Sequence, residues 1–289
     1  MGDERLVAVN GVELCAETFG EPDAPPVLLI GNSMLSWPDA LCERLAGTPR
    51  HVIRYDLRDT GRSTTVDPDA PDYTLRDLVA DAAGLLDALG LPSAHVAGFG
   101  VGGWIAQLLA LDHPGRVTAL TLIATRPNAP GPVDPDLPEH DAELMRSLMS
   151  APKPDWSDRA SVLAAMVERA RRLAGPAGFD EAAARDLAGR IFDRTVVPAG
   201  VDAAKAHRSN QLGTVFAALD CGPRWRERLG GIGVPTVVVH GEDDPFFPVG
   251  NGEALAREIP GAELVRLPGT GQELPPRDWD AVVTVLARA

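Results

Sequence analysis

The sequence predicts an α/β fold: a mostly parallel sheet covered by helices, with a helical block inserted late in the chain. Three observations carry this expectation. Short β-branched runs alternate with amphipathic stretches through the first third, and a glycine-rich turn at 98–103 joins a strand to an apolar helix. Strand patterns then vanish from about Asn128 to Cys221, and two more follow.

The elements follow in order. Val27–Ile30, His51–Tyr55, Ala94–Ala97 and Val117–Ala124 read as strands, separated by helical patterns at Trp37–Leu45, Leu75–Leu89 and Trp104–Leu111. Asp141–Met149, Arg159–Leu173, Glu181–Phe192 and Ala203–Leu219 have helical periodicity, and Thr236–His240 and Leu264–Leu267 close the sheet. This divides the chain into a core of residues 1–127 and 222–289 and a helical cap of residues 128–221, which begins in a stiff stretch containing Pro130, Pro132, Pro135 and Pro138.

The composition supports one large domain: 289 residues, 45% hydrophobic and 24% charged, with no apolar run long enough for a membrane span. No secretory pattern opens the chain, so a cytoplasmic location is expected. The net charge of -14 opposes a nucleic-acid partner. Cys15, Cys42 and Cys221 are widely spaced and fit neither a disulfide framework nor a metal site, so no metal and no cofactor are expected.

Gly98-Phe-Gly-Val-Gly-Gly103 carries the chemistry. It matches Gly-x-Gly-x-x-Gly, but a dinucleotide-binding turn would follow the first strand and have an acidic residue about 20 positions on. Here earlier strands precede it and Thr118–Ala124 is not acidic. A strand, a tight glycine-flanked turn and a helix instead read as a nucleophile elbow, with Gly100 where the nucleophile would stand.

The segments His51–Ser63, His95–Pro114 and Val234–Pro245 resemble α/β-hydrolase-fold enzymes similar to the anthracycline (aclacinomycin) methylesterases. The resemblance covers nearly the whole chain and is weakest in the helical insertion. It implies a serine on the elbow, an aspartate in His-Gly-x-x-Asp-Pro and a histidine in a late Gly-x-Gly-His loop. Those positions fall on Gly100, Asp244 and Gln272. Glycine has no hydroxyl, and a glutamine amide does not titrate near neutral pH. The family's oxyanion loop also looks shortened at Gly31-Asn-Ser-Met-Leu-Ser-Trp37, so Asn32 and Ser33 are candidate ligand contacts and the Val101 N–H is the donor expected to survive. Deliberate inactivation would explain Gly100 and Gln272 but not a shorter loop, so natural loss is the favoured origin.

Asp244 and Gln272 are therefore candidate catalytic groups, with His207 a third if its helix face points inward; a polar outer face is the competing reading. Trp37 and Trp104 flank the two loops and either stack on a flat ligand or pack in the core. His240 reads as a core histidine, and the Asp56–Arg62 segment as a structural turn.

The expected function is non-hydrolytic chemistry (cyclisation, elimination or isomerisation) on an apolar polycyclic or polyketide-like small molecule held in an enclosed cavity beneath the helical insertion. The alternatives are a pseudoenzyme or ligand-binding protein, and a residual esterase-type hydrolase using water at Asp244. No membrane partner is expected, and a homodimer is left open.

Overall fold

A computed structural model describes residues 2–128, 134–213 and 215–288. Its centre is an eight-stranded sheet of order β1-β2-β4-β3-β5-β6-β7-β8. The strands are β1 (Asp3–Val9), β2 (Val12–Phe19), β3 (Pro26–Ile30), β4 (His51–Tyr55), β5 (Ala94–Phe99), β6 (Val117–Ile123), β7 (Thr236–Gly241) and β8 (Glu263–Leu267). β3 to β8 pair in parallel, and β1 and β2 add an antiparallel edge.

That edge is absent from the sequence reading, which starts the sheet at Val27. Its signal was present: Asn10-Gly11 sits between alternating segments, and both residues take the positive φ of a tight hairpin turn.

Both faces of the sheet are covered. On one face Leu28 and Ile30 pack with Val96, Leu120 and Leu122 against α2 (Leu75–Ala88) and α3 (Gly102–Asp112). On the other, Val27 and Leu29 pack with Val52, Ala97 and Val239 against α1 (Asp39–Ala46) and α10 (Trp279–Ala287). Neighbouring β3 residues thus serve opposite layers, as a strand buried on both faces requires.

Between β6 and β7 lie α4 (Ala142–Ser150), α5 (Arg159–Leu173), α6 (Glu181–Arg194), α7 (Ala203–Leu212) and the short α8 (Val215–Ala218), and α9 (Gly250–Glu258) follows β7. Each of α4 to α7 starts on an aspartate, namely Asp141, Asp158, Asp180 and Asp202, whose carboxylate accepts first-turn N–H groups. No helix among the described residues is long and apolar enough to cross a membrane.

Many contacts fix the insertion to the core, and three of these joints flank the loops near Gly100. Arg194, at the end of α6, reaches Asp56 at 2.7 Å and Glu4 at 2.6 Å. Asn210 on α7 accepts the Gly61 N–H with its side chain, and its backbone carbonyl accepts from Asn32 Nδ2 at 3.3 Å. The end of α5 meets the 269–273 loop: Gln272 N–H donates to the Leu173 carbonyl at 2.9 Å, and Gly175 N–H to Glu273 at 3.1 Å.

The first joint should dominate stability. Asp56 is fully buried and also accepts the Met34 and Arg62 N–H groups at 3.0 Å, so removing Arg194 strands a carboxylate in the interior. Arg194→Met should lower unfolding free energy by about 3 kcal/mol. The same change at exposed Arg159, paired with Asp193, should cost under about 1 kcal/mol. Denaturant midpoints compare the two, and equal small shifts would show that the joint carries little energy.

Candidate functional site

β5 runs into Gly100, which has φ +56°, and α3 begins two residues later. The bend is tight: the Gly100 N–H donates to the Ile123 carbonyl at 3.0 Å, and the Gly100 carbonyl accepts from Gly103 N–H at 3.1 Å. Glycine holds this backbone without steric penalty. A Cβ placed on Gly100 would meet only Gln272 Nε2, at an ordinary 3.4 Å. The turn therefore has room for a side chain, and presents none.

Gln272 is turned away from acid–base chemistry. Its Nε2 donates to the Ala124 carbonyl at 3.0 Å, while its Oε1 is buried without a hydrogen-bond partner. Ala124, the residue after β6, has φ +46°, a strained conformation for a residue with a Cβ.

Asp244 is 3% exposed. Its Oδ1 accepts the Phe246 and Phe247 N–H groups at 2.8 Å, and its Oδ2 has no hydrogen bond. Burial pushes its pKa up to about 7, against the opposing pull of those two N–H groups. The nearest charged-type partner is His240 Nε2, at 3.6 Å. That nitrogen sits 2.6 Å from the Phe247 carbonyl, which can only accept, so Nε2 carries the proton; burial lowers the ring's pKa and keeps it neutral. His240 is a packed core histidine, as its sequence position suggested. No hydrogen bond joins Asp244 to Gln272, although their loops touch where Asp243 N–H meets the Thr270 carbonyl at 3.1 Å.

At the first loop, Asn32 N–H and Ser33 N–H both point to Ser36 Oγ, at 3.1 and 3.4 Å. These donors, expected to face a ligand, are consumed within the loop. The Asn32 side chain reaches Asn210, and Ser33 is buried. Among the described residues no acceptor meets the Val101 N–H, so this donor survives at the start of α3.

A family model described as the alpha/beta hydrolase fold matches residues 25–275. The chain belongs to the α/β-hydrolase fold family. It is 32% identical to a rhodomycin D methylesterase of Streptomyces sp. (strain C5), over 94% of this chain and 92% of that one. It is also 32% identical to a putative carbamate hydrolase of Variovorax paradoxus (strain S110), over 88% and 87% of the two chains. Among solved structures it is similar in fold to an esterase from Rhodococcus sp. ECU1013, with a TM-score of 0.73, 21% identity, and 99% and 98% of the chains covered.

Within this α/β hydrolase three candidates fall elsewhere. Trp37 is fully buried and meets Phe99 edge-on at 6.5 Å, so it is core and not a ligand platform. Trp104 is likewise core, held edge-on between Phe216 and Phe247. His207 stacks on Phe192 at 3.7 Å, joining α6 to α7; its described partners lie within the insertion, and burial lowers its pKa. It does not serve Gly100. Two open depressions, one beside the β1–β2 turn and one between Asp136 and Arg226, lie away from these residues, so neither is the enclosed cavity expected beneath the insertion. Among the described residues no cluster of three or more acidic, His or Cys groups could hold a metal.

Sequence reading missed Ser36 and Ala124. Ser36 had a signal, since Ser33-x-x-Ser36 has the spacing of a local cap. Ala124 had none, because left-handed alanine is invisible in a sequence.

The Asp244 geometry fixes a pH dependence. Unfolded aspartate titrates near 3.9, so from about pH 4 to 7 the native state holds an extra proton and stability falls as pH rises, levelling off above about 7. The span is at most about 4 kcal/mol. Asp244→Asn should remove this component, leaving the variant more stable than the parent at pH 8. Neutral His240 imposes an opposite slope below its ordinary value of 6.5 in both proteins, so the difference in denaturant midpoints at pH 5 and 8 isolates Asp244. A pH-independent difference would exclude a raised Asp244.

Proposed function

We propose that this α/β hydrolase acts on a small polyketide-like molecule by cyclisation, elimination or isomerisation, without an acyl-enzyme. One observation carries the reading: the elbow presents Gly100, with only the Gln272 amide within reach of its open side. Acyl transfer in this fold needs a nucleophile and a base acting as a unit, and a glycine and a glutamine supply neither. The ligand class draws on the printed name of the rhodomycin D methylesterase relative. Positioning and polar groups suffice for such reactions. Asp244, pushed up to about 7, has the acid–base character they use.

A second reading, a binding protein without turnover, is supported by the burial of that carboxyl, which is 3% exposed. Chromatography of a polycyclic ligand recovered after incubation separates the two: altered ligand supports the enzyme, and unaltered ligand the binding protein.

Fluorophosphonate should not label the protein, and Gly100→Ser alone should leave ester hydrolysis at background because no general base stands at Gln272. Adding Gln272→His should raise the rate by about a hundredfold over the single variant. Rapid hydrolysis by Gly100→Ser alone would mean that a base already serves the elbow, and would overturn the proposal.

A further inference from the structure

A side-chain amide carries two hydrogens on its nitrogen and two lone pairs on its oxygen, so which end faces a neighbour is set by what that neighbour can do. Gln272 Nε2 sits 3.0 Å from the Ala124 carbonyl, which only accepts, and this fixes the nitrogen on that side of the amide. The contact uses one hydrogen. The second has no acceptor among the described residues, and Nε2 is also the atom that a Cβ on Gly100 would meet, at 3.4 Å. Gln272 thus shows the open side of the elbow a donor.

That is the reverse of what a nucleophile needs. A general base offers the hydroxyl beside it a lone pair, whereas this amide offers a hydrogen and keeps its lone pairs on Oε1, more than 4 Å from the Cβ position. The main chain has the same sign there, since the Val101 N–H, one residue on, also meets no acceptor among the described residues. Gly100 itself is buried, while Phe99, Val101 and Gln272 around it are partly exposed. Solvent therefore touches the rim of the space that the absent side chain leaves.

We propose that the open side of Gly100 is a seat for a ligand carbonyl oxygen, and that Gln272 is the residue that recognises it. A carbonyl oxygen accepts and does not donate, which matches a position whose neighbouring polar hydrogens are donors. The inference rests on the proposed small-molecule function and deepens it by naming the ligand class, a ketone or quinone whose oxygen enters where a serine hydroxyl would stand. An analogue that lacks the oxygen leaves the Gln272 donor desolvated and unpaired, and is disfavoured for that reason.

The test uses 2-acetylnaphthalene and 2-isopropenylnaphthalene, which share a shape and differ by a carbonyl oxygen against a methylene carbon. Calorimetry on the full-length protein should show the ketone bound at least about fivefold more tightly, the scale of one net hydrogen bond. In the heteronuclear amide spectrum the Gln272 side-chain signals should shift with the ketone and not with the alkene. Gln272→Met, which keeps the length and loses the donor, should bring the two probes to within about twofold of each other. Should Gln272→Met fail to fold, as its melting transition reports, Gly100→Ala decides the matter: it leaves Gln272 and its Ala124 contact in place, fills the seat with a methyl group, and should also remove the preference. Equal binding of both probes by the parent, or a preference that survives in either folded variant, overturns the assignment while leaving a small-molecule site. Binding of neither probe overturns both.

Discussion

A main-chain hydrogen bond from Gln272 N–H to the Leu173 carbonyl holds the two halves of this site in register. It joins the last turn of α5 to the loop after β8, and glycine makes the approach close enough. A Cβ on Gly271 would run into the Leu173 carbonyl, and one on Gly175 into the backbone of Gly269. With this contact in place the Gln272 side chain meets Ala124 and faces Gly100. The insertion is therefore part of the site. Arg194 and Asn210 fix its other side to the turn after β4.

The sequence made the sheet legible where burial is two-sided, because short unbroken apolar runs such as Val27–Ile30 in β3 and Val237–Val239 in β7 suit a strand covered on both faces. The elbow was legible from glycine spacing, since only small residues allow β5 to turn so sharply into α3. The aromatic residues were not. Trp37 and Trp104 flank the right loops, but adjacency in sequence does not say whether a ring faces the space above the sheet or the layer beneath it. Both rings already have edge-on aromatic partners. His207 went wrong for a related reason: periodicity gave its helix but not the neighbour, Phe192, that takes up its ring.

Asp56 and Asp244 show how context divides two residues of one type. Both are buried and both accept two backbone N–H groups, so burial pushes each carboxyl up and the N–H groups oppose it. At Asp56 the guanidinium of Arg194 opposes it further, and the result is a structural joint. At Asp244 no cation arrives and the neighbouring imidazole is neutral, so Oδ2 keeps an unmet demand. The one is a fastening and the other a group with capacity to spare.

That spare capacity recurs around the site. Gln272 Oε1, Asp244 Oδ2 and the Val101 N–H lack partners among the described residues. Each unsatisfied buried polar group costs about 1–3 kcal/mol, a substantial fraction of a domain's net stability. Such atoms also lie elsewhere among the described residues, including His51 Nδ1, Tyr55 Oη, His95 Nδ1 and, at the Asp56 joint itself, Arg194 Nε. An unmet donor or acceptor therefore does not by itself mark a site; what singles out Gln272 is that its amide also lies within reach of the open side of Gly100, where the elbow of this fold presents its side chain.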